Sequence, residues 1–388
     1  MTPRYAGCIL AGAVAWSLPL VALRGHAQEP ADASTATGTP LDAAGLVERG
    51  ELRTRLDDLD AAEADFLDAI ELITATDGEF AAALIRPYRG LAHVLAARGD
   101  FPEAVTALEA ARHVSHRNFG LFNMEQADIL DELSGVYEQA GDTREAQQQQ
   151  QEILDVAQRH FGADAADVVP YHFKLARYYE LERMRGLARD QYARALEIVR
   201  SDPQSTPGDE LPALTELARV ATLTGEASRA RRDLEALLQA GVTAAAAVEA
   251  EAYAVIGDDD LVNGRIDGAA DFYALAHAAF ADPSEADAYF RAPRLINFVP
   301  PPSPVDWGRR RGGDFAWGSI TAAFGLTATG KAERIAIVVA DPPGLMDALY
   351  ARRLAEAVFR PRIEGGQMVA TNRLRFTHEF RYFLPDEE

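Results

Sequence analysis

Cysteine occurs once in the 388 residues, at Cys8, and lysine only twice, at Lys174 and Lys331. The single cysteine lies near the start of the sequence, before its first apolar run, so neither a disulfide framework nor thiol chemistry is open to the body of the chain. Metal-ligand spacing is also missing: His113 and His116 stand three apart with no third ligand near in sequence. No serine occupies a nucleophile elbow, and carboxylate pairs carry no information in a chain with 60 acidic residues. Gly325-Leu326-Thr327-Ala328-Thr329-Gly330-Lys331-Ala332 has the glycines and lysine of a phosphate-binding loop. Ala332 stands where a serine or threonine would hold magnesium, and the segment runs on into Arg334-Ile335-Ala336-Ile337-Val338, a strand pattern rather than a helix. The expectation is a protein without a cofactor and without catalytic activity.

Positive charge is scarce in one region only. Residues 281–388 hold 14 basic and 14 acidic residues, whereas residues 28–280 hold 22 basic and 46 acidic. A body this acidic repels phosphate backbones and anionic lipid surfaces, which argues against a nucleic-acid partner. With 48% hydrophobic and 8% aromatic residues, the chain has the composition of a folded protein of two or three domains.

Arg4 precedes an uncharged run from Tyr5 to Leu23, followed by Arg24-Gly25-His26-Ala27 and Gln28-Glu29-Pro30. A charged start, an apolar middle and small residues at Gly25 and Ala27 are the marks of a secretory signal peptide, residues 1–27, with cleavage after Ala27. The other reading is a retained inner-membrane anchor, since the run approaches the length of about 20 residues that spans a bilayer. Gly7, Gly12, Ser17 and Pro19 weaken that reading. Residues 28–40 are small, polar and proline-containing, a flexible lead-in.

What fills the next 240 residues is a repeat. Tyr88, Leu91, Ala92, Leu95, Gly99, Phe101, Ala104, Leu108 and Ala111 recur in kind at a step of 42 residues. The step carries Ala62 to Ala104, Ala146, Ala188 and Ala230, and Leu91-Ala92 to Leu133-Ser134, Leu175-Ala176 and Leu217-Ala218. Turns fall at Gly99-Asp100, Gly141-Asp142 and Gly225-Glu226; a larger side chain recurs at Phe66, Leu108, Tyr192 and Leu234, broken once by Gln150. A sixth unit follows 39 residues on, with Tyr253, Ile256-Gly257, Gly264, Ala269 and Tyr273. Pro87, Pro170 and Pro212 mark where first helices begin. These positions resemble the tetratricopeptide repeat, and the long period with Arg159-His160-Phe161-Gly162 is similar to units of the kinesin light chain type. The resemblance implies six helix hairpins over residues 41–280, stacked as a right-handed α-solenoid whose first helices line a binding groove. Its groove-facing residues would include Arg86, Arg89, His93, Asp131, Glu138, Arg177, Glu180 and Arg219. Arg86, Arg89, His93, Arg177 and Arg219 are the expected receptors for carboxylates of a protein or peptide partner, unless they pair with neighbouring acidic side chains.

Prolines at 283, 293, 300, 301, 302 and 304 interrupt the helical period, so residues 281–316 read as a proline-rich linker, with Phe298 and Val299 expected to cap the last hairpin. From Trp317 the period becomes two. Ile320, Ala322, Phe324 and Leu326 face one way, and after Thr329-Gly330-Lys331 so do Ile335, Ile337 and Val339. Asp341-Pro342-Pro343-Gly344 closes the hairpin. Leu345, Leu349, Leu354 and Val358 predict a helix of about four turns ending at Arg360-Pro361. Beyond Gly365-Gly366 comes a last strand, with Leu374, Phe376, Phe380 and Tyr382 on one face and Arg373, Arg375, Thr377, Glu379 and Arg381 on the other.

This β-β-α-β order, with Gly318-Ser319-Ile320, Phe359-Arg360-Pro361 and the closing Phe380-Arg381-Tyr382-Phe383, resembles the C-terminal domain of the energy transducer TonB family, over residues 317–388. The resemblance implies a small antiparallel sheet that recruits an extended peptide of an outer-membrane or other envelope protein by strand addition. Arg373, Arg375, Thr377 and Arg381 mark the expected edge. Two features depart from a working transducer. Ser17 is followed four residues on by Val21 rather than by a histidine, and a helical array stands in place of a long proline-rich spacer. The expected class is therefore mostly α with a small α+β C-terminal domain. The expected role is a non-enzymatic periplasmic scaffold without membrane contact after cleavage, the alternative being a membrane-anchored transducer acting on outer-membrane transporters.

Overall fold

Alanine at a fixed position lets two helices close on each other, and the computed structural model, which describes residues 41–224, 228–304 and 315–383, follows that rule. The expectations for residues 1–27 and 28–40, the Gly225-Glu226 turn and the Arg309-Arg310-Arg311 patch lie outside the described residues. Those residues form two compact units that divide within one helix, between Tyr178 and Tyr179. No helix among them is long and apolar enough to cross a membrane.

The first unit contains α1 (Ala43–Arg55), α2 (Leu59–Asp77), α3 (Ile85–Arg98), α4 (Phe101–Phe119), α5 (Glu125–Ala140), α6 (Thr143–Phe161) and most of α7 (Val169–Leu181). Ala62, Ala104 and Ala146 lie in the second helices α2, α4 and α6, each with no exposed surface. Phe66 and Leu108, four residues on, fill the space between hairpins. A Cβ on Gly90 of α3 would clash with the ring of Phe66, so the glycine sets how near α3 approaches α2. Gln150, the exception to the apolar pattern, is buried and donates from Nε2 to Asp131 Oδ1 of α5 at 2.9 Å.

The described hairpin turns close with one left-handed residue after the first helix. Gly99 and Gly141 have φ of 94° and 86°, and the N–H groups that follow reach back, Asp100 to Leu95 O at 2.9 Å and Asp142 to Tyr137 O at 2.8 Å. The equivalent positions 42 residues to either side are Asp57 and Arg183, with φ of 63° and 60°. They make the same bonds, from Asp58 to Arg53 O and from Met184 to Tyr179 O. A glycine signal could not reveal them. A second set, Gly78, Gly120 and Gly162, ends α2, α4 and α6 with φ between 87° and 100°.

The second unit holds the end of α7 with α8 (Arg185–Ser201), α9 (Leu211–Thr224), α10 (Ser228–Gln239), α11 (Ala246–Val262) and α12 (Ile266–Ala278). The stretch expected to be a linker is ordered where described. It contains α13 (Pro283–Tyr289) and β1 (Arg294–Asn297), and β1 pairs antiparallel with β4 (Val358–Arg360). β2 (Phe315–Leu326), β3 (Ala332–Asp341) and β7 (Thr371–Phe383) form an antiparallel sheet in the order β3-β2-β7, covered on one face by α14 (Asp347–Glu356). A small hairpin, β5 (Arg362–Glu364) and β6 (Gln367–Val369), precedes β7.

Three expectations need correction here. The helix is shorter than drawn, because Val358 to Arg360 leaves it to pair with β1. Val339 is exposed rather than inward, since the β2–β3 register shifts between Thr321 and Ala322 and the extra residue turns Ala340 inward. Phe298 packs against Tyr350, Phe376 and His378 of the sheet domain instead of the last hairpin, and Val299 is exposed. The hairpin α11/α12 is met by Phe290, Val358 and Ile363.

Arg183→Gly should stabilise the fold by about 0.5–1 kcal/mol, since glycine takes the left-handed conformation without the Cβ penalty. A thermal melt that shifts upward supports this; a lower midpoint means that the arginine side chain contributes more than its backbone costs.

Candidate protein-binding surfaces

The arginines assigned to a groove sit on the first helices of successive hairpins, where they meet carboxylates of neighbouring hairpins. Arg86 of α3 donates from Nε and Nη2 to Glu51 of α1 at 2.7 and 2.8 Å. Arg89, one turn on, donates to Glu132 of α5 from Nη2 at 2.6 Å, and His93 Nε2 lies 3.4 Å from the same carboxylate. Lys174 of α7 pairs with Asp131 of α5 at 2.8 Å. The signs alternate from helix to helix: Glu48 and Glu51 on α1; Arg86, Arg89 and His93 on α3; Asp128, Asp131 and Glu132 on α5; Lys174 and Arg177 on α7. The Arg86 hydrogen bond holds Glu51 below the ordinary carboxylate range. For Glu132, burial works upward but is outweighed by His93 and Arg89, and the net shift is downward.

In the second unit Arg219 of α9 donates to Glu180 of α7 at 2.6 and 2.7 Å and pairs with Glu216 at 2.6 Å. Burial disfavours its charge, but Glu216 and Glu180 more than compensate and raise its pKa. Arg177 is exposed and makes no ion pair among the described residues. Arg86, Arg89 and Arg219 are thus engaged by the protein itself, each in contact with a neighbouring first helix.

On the sheet, β7 is an outer strand. Its register against β2 is regular from Phe383 to Leu374, with Thr377 opposite Thr321 and Arg375 opposite Ala323. The two threonine hydroxyls lie 2.9 Å apart, as close side chains do at the non-hydrogen-bonded pairs of an antiparallel ladder. At such pairs the main-chain groups point away from the partner strand. The Arg381 N–H accordingly turns outward and donates to Ser303 Oγ at 3.2 Å. The same parity points the N–H groups of Arg375, Thr377 and Glu379 away from β2. Arg373 and Arg375 are exposed and lack ion pairs among the described residues, and Arg373 has a left-handed φ of 62°. The structure therefore keeps the nine expected residues in separate groups. Arg86, Arg89 and His93 share one helix, Arg177 and Arg219 lie on later first helices, and Arg373, Arg375, Thr377 and Arg381 share one strand.

Residues 41–114 match the tetratricopeptide repeat family. Similar solved structures include two of a Podosopora anserina putative kinesin light chain with nearly identical TPR-like repeats. One of them, a form carrying a substitution, is 19% identical over 52% of this chain and 96% of that one, with a TM-score of 0.40. The other form is 19% identical over 50% and 94%, with a TM-score of 0.38. BtubC (BKLC) from P. vanneervenii is 22% identical over 50% of this chain and 78% of its own, with a TM-score of 0.38. No curated protein matches the sequence.

Where the tetratricopeptide pattern ends, an ion network that sequence spacing could not disclose joins the last repeat to the sheet domain. Arg360 of β4 is 4% exposed and donates to Asp258 of α11 at 2.8 and 2.6 Å, and to Glu251 at 2.9 and 3.1 Å. Tyr273 of α12 donates to Asp258 at 2.8 Å, and Arg294 of β1 also pairs with Glu251. Burial alone would raise the Glu251 pKa, but the Arg360 and Arg294 charges bring it down to about 2. The next two residues are buried carboxylates as well: Asp259 and Asp260 take Arg231 of α10 and Arg265. Neighbouring Asp287 of α13 accepts from Gly365 N at 2.8 Å and lies 2.8 Å from His277 Nε2.

His378 was also missed, although it sits on the inward side of the β7 alternation. It is stacked on Tyr350 at 5.8 Å between ring centres, and its Nε2 has no hydrogen-bond partner. Burial, helped by the charge of Arg183, lowers its pKa to about 4.

Removing one partner of a buried ion pair leaves the others uncompensated, so Arg360→Met should cost on the order of 3–5 kcal/mol. Denaturant titration checks this, and a midpoint equal to that of the unaltered protein refutes the joining role of the network. A second consequence concerns acid. The unfolded chain protonates residue 378 below about 6.5, the folded one only near 4. Stability contributed by the neutral imidazole should therefore be present above pH 6.5 and fall by up to about 3 kcal/mol as pH drops to 4. His378→Phe should flatten that part of the pH profile; an unchanged slope in the variant assigns the loss to other groups.

Proposed function

We propose that this chain is an exported, periplasmic scaffold without catalytic activity, in which a tetratricopeptide array carries a TonB-like sheet that captures an extended peptide of an envelope protein. The capture site is the outward edge of β7 from Arg373 to Thr377. One observation carries the reading. Arg373 and Arg375 are exposed on an outer strand without ion pairs among the described residues, while Arg86, Arg89 and Arg219 are taken up by carboxylates of neighbouring repeats. A peptide strand laid against that edge gains main-chain hydrogen bonds, and its acidic side chains meet the two guanidiniums. Ser303 already occupies the far end, at Arg381. The signal-like N-terminus and the ordered motifs of the C-terminal domain support the periplasmic part of the reading.

Because the Arg375 N–H points away from β2, Arg375→Pro removes an outward donor and leaves the β2–β7 ladder whole. Crosslinking in the cell envelope should recover a partner with the unaltered protein and lose it with Arg375→Pro, at unchanged thermal midpoint. Recovery of the same partner by the variant would falsify strand addition at this edge. N-terminal sequencing of the purified protein should begin at Gln28; an intact Met1 in the membrane fraction favours the anchored transducer.

A further inference from the structure

The chain that follows β1 lies along β7 without pairing to it. From Arg294 to Asn297 the main chain is still paired, with β4. Beyond that, Phe298 packs on Phe376 at 5.2 Å and on His378 at 6.5 Å between ring centres, and the carbonyl of buried Pro301 meets the His378 ring. Ser303 Oγ then accepts the outward N–H of Arg381 at 3.2 Å. The segment thus runs in the direction of β7 and reaches its outer edge at Arg381. Yet among the described residues no main-chain hydrogen bond joins residues 298–304 to the strand. Composition supplies the reason: residues 300, 301, 302 and 304 are proline, so Ser303 holds the one N–H in that stretch.

A strap of this kind covers an edge and cannot extend it. An outer strand presents N–H and C=O groups to any extended chain, and proline is among the residues that blunt such an edge. On β7 the outward groups belong to Arg375, Thr377, Glu379 and Arg381, by the parity of its pairing with β2. The strap meets the last of these N–H groups through a side chain alone. Its anchor is Phe298, set against Tyr350, Phe376 and His378. A peptide strand offers main-chain groups at every second residue over the same length, a ladder that the prolines cannot match.

We propose that residues 298–304 are a displaceable strap that competes with a partner peptide for the Arg381 end of the β7 edge. The proposal rests on the reading of β7 as a peptide-receiving edge and adds what limits the bound length. With the strap in place a peptide pairs from Arg373 to Thr377; with the strap displaced, pairing extends to Arg381. The test uses the full chain and a fluorescein-labelled peptide of five Glu-Val repeats, read by anisotropy. Ser303→Ala should bind this peptide about two- to tenfold more tightly than the unaltered protein, the worth of one hydrogen bond, at an unchanged thermal midpoint. A lock should act in the opposite sense. In Cys8→Ser protein carrying Ser303→Cys and Arg381→Cys, the oxidised form should bind at least about tenfold more weakly than the same protein after reduction. Equal affinity of the oxidised and reduced forms, or an unaltered affinity in Ser303→Ala, overturns the strap and leaves peptide capture standing. Failure of the two cysteines to join overturns the placement of Ser303 on the edge, and the strap with it. Absence of binding in every form overturns both readings, as does self-association of Ser303→Ala in place of peptide binding.

Discussion

A fully desolvated guanidinium between two carboxylates is costly unless every partner is in place, and Arg360 is held on those terms. Its partners Asp258 and Glu251 belong to α11, and Arg360 itself belongs to β4. The pairing is therefore available only when the sheet domain lies on the last tetratricopeptide hairpin. Around it, Phe290, Val358 and Ile363 bury their side chains against Ala250, Ala254 and Tyr273. Apolar contact supplies the area; the ion network makes the fit specific, since a displaced β4 would take the Arg360 charge away from two buried carboxylates. The last hairpin needs a neighbour to cover its apolar face, and the sheet domain provides one.

The array was legible in the sequence because its construction is periodic. An alanine that lets helices touch and a larger residue that fills the gap between hairpins recur at one spacing, and Pro87, Pro170 and Pro212 fall at or within one residue of a common repeat position, so each confirms the others. What stayed hidden is what does not need a particular residue. Asp57 and Arg183 take the left-handed turn conformation that glycine takes at 99 and 141, because the returning hydrogen bond, rather than the side chain, defines the turn. Gln150 satisfies its buried position by reaching Asp131, a partner that no local pattern predicts.

The sites were less legible for a related reason. Arg86 and Arg89 are surface-like by sequence, and their partners Glu51 and Glu132 lie a whole hairpin away, so nothing local distinguishes a receptor for a ligand from a clasp between repeats. Arg360 reads as the end of a helix before a proline, though it is among the most buried charges described. The strand β7 was easier, since alternation alone separates its two faces. Alternation could not show that Ser303 closes the edge near Arg381, because that contact comes from a segment 78 residues away.

The alternation of charge sign along the first helices carries a consequence for how such an array can change. From α1 to the start of α7, neighbouring first helices are complementary, acidic against basic, and first helices two apart carry like charge; Glu180 of α7, which takes Arg219 of α9, ends the alternation. Loss or duplication of a single hairpin would bring α1-like and α5-like acidic faces together, with Glu51 and Glu132 left without their arginines. Loss or duplication of a pair within this stretch would keep acidic faces against basic ones. Over α1 to α7 the length of the array is thus freer to vary in steps of two hairpins than in steps of one, a constraint of parity written in charge and absent from the apolar core.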